Sequence, residues 1–403
     1  MPSTNRHMLT RAVFLIVLVS VTEALAYAAL GLFGHVVGDI RPTSAIYAEQ
    51  TTRIQTILDA SHPSREIFDP LLGWRYRAGY RQGNDEVNTQ GLRSERLYDP
   101  LPPHGILRIA AFGDSMVYGN EVGTSDGWAT QMESLCPKVE VLNYGVGGYG
   151  LDQAYLRYQA EGSRYAPHVV LVGFVADDLR RLVNVYRRFI DDREYPLFKP
   201  RFVLDKNDLK LLPTPVDLVA YEQLITRPEG ITEFGRHDHW YQPLIYENRM
   251  YDWSATVRLL VTVGSNLHRR YIDPDRLWDR DQLNKDSEAF KLQLAIFKHF
   301  TQEARRNGSK PLIVLFPDKA SILRVRAGSE TYYASIANAL KEGDIAYVDL
   351  IDAFRMRTEA VDSFFMPGGH YSVRGNEIAA KWLLQKLPEV HSERQEISPV
   401  LCS

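Results

Sequence analysis

Five short apolar runs, separated by stretches of helical periodicity, limit what this chain can fold into more than any other feature. They are Leu107–Phe112 (LRIAAF), Val139–Asn143 (VEVLN), His168–Phe174 (HVVLVGF), Pro311–Phe316 (PLIVLF) and Ala346–Leu350 (AYVDL). A strand with one wet face alternates apolar and polar residues, whereas most of these runs are nearly unbroken, the mark of strands buried on both faces. Helical stretches at about residues 126–135, 151–160, 286–307, 330–341 and 373–386 supply the crossovers that parallel pairing needs. Ser372 stands as the cap of the last one. The pattern predicts an α/β fold, a three-layer α/β/α sandwich around a parallel sheet, over residues 106–390.

The rhythm breaks between about 181 and 285 and then resumes, so this stretch reads as an insertion in one domain. Within it, Phe202–Leu212 (FVLDKNDLKLL) predicts a hairpin turning at Lys206-Asn207-Asp208. Trp240, Tyr241, Tyr246, Tyr251 and Trp253 crowd the same insertion, and packing onto the core is favoured over stacking on sugar rings. His237-Asp238-His239 lacks a third ligand at metal spacing and reads as an exposed polar loop, so no metal is expected. Residues 41–105 form an extension whose segment DPLLGWRYRAGYRQGNDEVNTQGL (Asp69–Leu92) reads as irregular chain on the domain surface, and 391–403 form a tail.

The N-terminus carries a second constraint. Arg6, His7 and Arg11 precede a run from Ala12 to Val37 broken mainly by Glu23 and His35. About 20 apolar residues span a bilayer, with the basic flank retained inside. Ala24-Leu25-Ala26 is also a signal-peptidase pattern. Apolar residues continuing beyond it favour a signal anchor over residues 1–40, although Glu23 costs roughly 3 kcal/mol in such a helix. Either reading sends the remaining chain out of the cytoplasm, to the periplasmic side of the membrane. The chain is 45% hydrophobic and carries a formal charge of −3, which gives no electrostatic footprint for nucleic acid. The two cysteines, Cys136 and Cys402, have no metal or framework spacing, and a bridge between them stays open in an oxidising compartment.

Three segments carry chemistry. Ser115 follows the first predicted strand between Gly113 and Gly119, where ligands of open α/β sheets bind. Asn143-Tyr144-Gly145-Val146-Gly147-Gly148-Tyr149-Gly150 lies between a strand and a helix. Its Gly145, Gly147 and Gly150 also spell a dinucleotide fingerprint, with Asp177 or Asp178 as the ribose acid, but on the second strand and with late acid spacing. Gly368-Gly369-His370-Tyr371-Ser372 places a histidine just ahead of the last helix, a candidate general base.

In this order, FGDSMVYG (Phe112–Gly119), NYGVGGYG (Asn143–Gly150), GFVADDL (Gly173–Leu179) and GGHYSVRGN (Gly368–Asn376) resemble the SGNH/GDSL hydrolase family. The DPLLGWRY and NTQGLRSE segments and the apolar N-terminus look like its membrane-tethered bacterial branch. The resemblance covers Leu107–Leu179 and about residues 311–384. It implies a flavodoxin-like arrangement, Ser115 as nucleophile, His370 as base, and an oxyanion hole from the backbone N–H groups of Ser115 and Gly148. It implies no cofactor, and ester hydrolysis or acyl transfer, often on carbohydrate.

Two positions depart from the family. The asparagine that donates the third oxyanion hydrogen bond is Asp177 here, which serves only if kept protonated, as burial beside Asp178 would do. The triad acid expected three residues before the histidine is Pro367, leaving Asp362 and Asp349 as the nearest upstream carboxylates. The reading is an extracytoplasmic serine esterase or acyltransferase acting on an acylated envelope or exported carbohydrate or other small ester. The alternative is an inactive carbohydrate-binding or assembly protein on the same fold.

Overall fold

The computed structural model describes residues 3–37, 64–190, 197–206, 208–212, 228–243 and 253–391, with isolated positions between them. Most of 41–63, the tail beyond His391, and Asn207, Tyr246, Tyr251 and Cys402 lie outside the described residues. The N-terminal run is one helix, α1 (Ser3–Val37), whose Arg6–Phe33 stretch contains an 18-residue window of mean hydropathy 2.2 and is long enough to cross a bilayer.

The domain alternates strand and helix as its sequence predicts: β1 (Leu107–Phe112), α2 (Trp128–Leu135), β2 (Val139–Asn143), α3 (Leu151–Glu161) and β3 (Val169–Phe174). After an insertion that carries α4 (Ala255–Leu267) come α5 (Glu288–Arg306), β4 (Lys310–Leu315), α6 (Lys319–Arg326), α7 (Ala334–Glu342), β5 (Tyr347–Asp349) and α8 (Val373–His391). The five strands pair in parallel in the order β5-β4-β3-β1-β2, so the chain steps to one edge and returns past its start. This is the flavodoxin-like order, with the switch point between β1 and β3.

Period-two alternation divides the strands between two cores. Ala110, Phe112, Val170, Val172, Ile313 and Leu315 pack with α3, α5 and α7, whereas Ile109, Ala111, Leu171, Val314, Val141 and Val348 pack with α2, α6 and α8. The three layers follow from that division.

Two segments depart from the sequence reading. Asp69–Leu92 is not irregular: Glu66–Asp69 pairs with Gly73–Tyr76 and Arg81–Gln82 with Asp85–Glu86, both antiparallel. The first hairpin turns where Asp69 Oδ1 accepts the N–H groups of Leu71 and Leu72, both at 2.9 Å. Strands this short carry no readable period. Trp74 and Leu92 are fully buried, so this segment completes the core.

In the insertion the expected hairpin forms, Arg201–Asp205 against Asp208–Leu212. The expected exposed loop does not. Asp238 is buried, and accepts hydrogen bonds from Asn184 Nδ2 (2.8 Å) and the N–H groups of Val185 (2.6 Å) and Trp240 (2.8 Å). It fastens the insertion to the chain leaving the sheet. Buried Lys199 does the same through Asp152 on α3, and burial lowers its ammonium to about 8. Tyr241 packs on Phe189, while Trp253 stays 80% exposed.

Candidate active site

The chain leaves β1 through Gly113 into Asp114, whose carboxylate caps a single helical turn, Ser115–Tyr118, by accepting the Met116 N–H at 2.8 Å. Ser115 is the first residue of that turn, so its own N–H is one that a helix leaves without an internal acceptor. Its side chain is nearly buried, and Asp114 Oδ2 lies 3.5 Å from its Oγ. The Ser115 carbonyl accepts the N–H groups of Gly119 (2.9 Å) and Asn120 (3.0 Å), which folds the following loop back against the serine.

The loop after β2 faces this turn. Gly148 has φ +77°, a conformation that a side chain disfavours, and its N–H has no acceptor among the described residues. The neighbouring N–H groups are taken: Gly145 by Asn143 Oδ1 (2.9 Å), Gly147 by Tyr76 Oη (2.8 Å) and Gly150 by Gln153 Oε1 (3.1 Å). All three glycines of the dinucleotide fingerprint therefore spend their donors internally, which removes the pyrophosphate cradle that reading needs. The 64–98 segment holds the loop from behind. Trp74 Nε1 donates to Gly147 O at 3.1 Å, and Tyr149 Oη donates to Trp74 O at 2.5 Å.

The two acids after β3 divide in their ionisation. Asp177 is ion-paired with Arg180 and Arg181, both at 3.2 Å. Burial pushes its carboxyl up, but the guanidinium groups of Arg181, Arg180 and Arg187 outweigh that and hold it below the ordinary range. Asp177 is thus held in the ionised, acceptor form between two arginines, whereas an oxyanion calls for a donor. Asp178 is pushed well above the usual range, by burial first and then by nearby Asp114. Arg181 spans the cluster, donating to Asp114 Oδ2 (3.1 Å), Asp178 Oδ1 (3.2 Å) and Tyr149 O (3.1 Å).

His370 sits on a tight turn closed by Met366 N–H to His370 O at 2.7 Å, with Gly369 at φ +94°. Its Nδ1 lies 2.6 Å from Glu121 Oε2, and Glu121 also accepts the N–H groups of Gly368 (2.8 Å) and His370 (3.1 Å). Burial raises the Glu121 carboxyl, but these hydrogen bonds outweigh it and the net shift is downward. A Cβ on Gly368 would come within 2.7 Å of that carboxylate, so glycine keeps the approach open.

The carboxylate beside the histidine is therefore Glu121, six residues after Ser115, and neither upstream aspartate. Asp362 pairs with Lys319, and Asp349 accepts from Tyr333 Oη (3.0 Å) and the Ile351 N–H (2.9 Å). Among the described residues no hydrogen bond joins Ser115 Oγ to His370, a bond that often tightens only with substrate bound. The ring commits Nδ1 to Glu121 and leaves Nε2 for a nucleophile.

Arg93, from the NTQGLRSE segment, supports the loop that carries Glu121. Its guanidinium donates to the carbonyls of Tyr118, Gly119 and Val122 and lies over the Tyr118 ring at 4.3 Å. Glu121 is held at φ +70°, unusual for a side-chain-bearing residue, and these contacts stabilise that strained turn. Beside it opens a cavity of about 320 Å³ lined by Arg65, Gln82, Asn84, Asp85, Asn120 and Glu121 among others. Asn120 Nδ2 lies 3.4 Å from where a Cβ on Gly147 would stand, and its Oδ1 is buried without a hydrogen-bond partner among the described residues. Among the described residues no three His, Cys, Asp or Glu side chains group as metal ligands; His239 Nδ1 faces Asp275 at 3.3 Å.

Residues 111–378, more than half of the chain, match the model of the GDSL-like lipase/acylhydrolase family. No curated protein matches the chain. Similar solved structures include a GDSL-like lipase from Bacteroides thetaiotaomicron (10% identity, 72% of this chain, 91% of that chain, TM-score 0.33). Another is an acetyl xylan esterase from Geobacillus stearothermophilus (12% identity, 72% of this chain, 97% of that chain, TM-score 0.36). A third is an α/β hydrolase from the metagenome of Lake Arreo (10% identity, 71% of this chain, 96% of that chain, TM-score 0.37).

Proposed function

Because the chain belongs to the GDSL-like lipase/acylhydrolase family and is an ester hydrolase, we propose that it acts through Ser115, His370 and Glu121 on acylated carbohydrate outside the cytoplasmic membrane. His370 Nε2 takes the Ser115 proton as Oγ attacks the ester carbonyl, then returns it to the leaving alkoxide. Water, or a sugar hydroxyl in a transfer reaction, attacks the acyl-serine by the same proton path. The Glu121 carboxylate fixes the ring and stabilises the imidazolium that forms. The N–H groups of Ser115 and Gly148 face the developing oxyanion, and Asn120 takes the third donor position in place of Asp177.

The observation that carries this reading is the 2.6 Å contact between His370 Nδ1 and Glu121, with two backbone N–H groups on the same carboxylate. Carbohydrate is supported by the polar cavity beside Glu121, whose amides, arginines and carboxylates suit a hydroxyl-rich ligand. The extracytoplasmic site is supported by the basic residues Arg6 and Arg11 ahead of the apolar run that begins at Ala12. Retention of α1 as an anchor is supported by the contacts of Glu23 and Ala26 with the start of α4, which cleavage after Ala26 would remove.

The test is covalent labelling with a fluorophosphonate, read by mass spectrometry. The adduct is expected on Ser115 and absent from Ser115→Ala. An unlabelled Ser115 in protein that still hydrolyses esters would overturn the assignment.

A further inference from the structure

Glu23 lies within the most apolar stretch of the chain, a costly place for a carboxylate without a partner. It has three. Glu23 Oε1 accepts Ser254 Oγ–H at 2.5 Å, and Oε2 accepts the N–H groups of Ala255 (2.7 Å) and Thr256 (3.4 Å). Those N–H groups open α4, so the carboxylate of α1 caps α4 across more than two hundred residues. Each side resolves the other's difficulty. Helix N-termini leave N–H groups unsatisfied, which is especially costly away from water, and a carboxylate within a bilayer likewise needs donors.

From that contact the helices run side by side. Ala26 and Leu30, one and two turns beyond Glu23, are buried with Ala255 and Leu259. A second face of α4, roughly a quarter-turn round from that contact, is apolar and open: Leu260 (66% exposed), Val263 (42%) and Leu267 (52%), with Gly264 between them. The spacing is that of one helical stripe. Tyr271 and Ile272 extend it, and the basic residues His268, Arg269 and Arg270 stand at its end.

We infer that α4 is a second membrane-seated helix, embedded in the outer leaflet beside α1, with its Leu260–Val263–Leu267 stripe against lipid acyl chains. The inference rests on the reading of α1 as an anchor. Arg11 at the inner boundary puts Glu23 roughly 18 Å up the helix, within a hydrocarbon layer about 30 Å thick. A helix that starts there and runs alongside α1 lies in the remaining outer part, and its terminal basic cluster meets the headgroups. The α/β domain is thereby held to the membrane at two elements.

The test uses full-length protein in phosphatidylcholine–phosphatidylglycerol vesicles, spin-labelled in turn at Leu260→Cys, Leu267→Cys, Leu15→Cys on α1 and Lys341→Cys on the domain surface. Unsubstituted protein serves as the labelling blank. Collision with oxygen against a water-soluble nickel complex reports what each site faces. Leu260 and Leu267 are expected to match Leu15, with an oxygen preference several-fold above Lys341. If they match Lys341 while Leu15 reads as lipid, this inference fails and the anchor stands. If Leu15 also reads as water, the anchor reading fails and takes the inference with it. Glu23→Leu keeps α1 apolar and removes the cap, and is expected to mobilise the Leu260 label; an unchanged label would overturn the capping role.

Discussion

Ser115 and Gly148 owe their positions to the ends of β1 and β2, neighbouring strands in register from Leu107↔Val139 to Ala111↔Asn143. His370 owes its orientation to Glu121, a carboxylate 249 residues away in sequence, on a strained turn held by Arg93 from a third segment. The first arrangement is written in local backbone geometry, a glycine-flanked strand end followed by a helical turn. The second depends on three separate stretches of chain meeting. Local geometry survives substitution around it, whereas a long-range side-chain contact can move to a new residue that offers the same carboxylate from another direction.

The sharpest way to break this comparison is Glu121→Gln. If Glu121 positions the histidine, kcat should fall by about 10³–10⁴-fold with KM little changed, the scale seen when a triad acid becomes an amide. Glu121→Asp should recover part of the loss, which a purely structural role would not require. The stability readout has a defined sign. The folded Glu121 carboxyl lies below its ordinary 4.5, so its contribution is present above that value and lost as pH falls through the lowered one. Glu121→Gln should therefore flatten acid unfolding in that window. Equal kcat for Glu121→Gln and the unsubstituted protein would sink the assignment.

A smaller effect tests the nucleophile end. Asn120→Ala should lower kcat by about 10²-fold if its amide is the third oxyanion donor, because removing one such donor costs on that order. Asp177→Asn should not restore or raise kcat, since Asp177 is already committed to Arg180 and Arg181. A gain in Asp177→Asn with no loss in Asn120→Ala would return the third donor to the block after β3.

How far the sequence could be read follows the same division. The five strands, their helices apart from α6 and the motif-bearing loops were legible because unbroken apolar runs and glycine-flanked turns are local signals. The hairpins around Trp74 escaped because strands of two to four residues have no period to detect, yet Trp74 and Tyr76 hold the Gly147–Gly148 loop. Glu121 escaped because it lies just past the nucleophile motif while its partner lies in the last one, and only three-dimensional closure brings them together. Asp238 looked exposed beside two histidines; four hydrogen bonds drawn from separate segments bury it.

The smallest expected effect comes from Asp349→Asn, and it separates Glu121 from a rival acid of the sequence reading. Asp349 ends β5, and burial raises its carboxyl from 3.8 to about 6. The folded protein holds this proton up to about pH 6 while the unfolded chain releases it near 3.8, so stability falls as pH rises across that window and the penalty is complete at pH 7. Asparagine keeps Oδ1, which accepts from Tyr333 and Ile351, and removes the charge. Discounted for partial solvent screening, the gain at pH 7 should be about 1–2 kcal/mol, measured by urea unfolding, and absent at pH 4. Activity should not change. A loss of kcat as large as that of Glu121→Gln would mean that Asp349 reaches the histidine during turnover, and the long-range account of the base end would have to be rebuilt around β5.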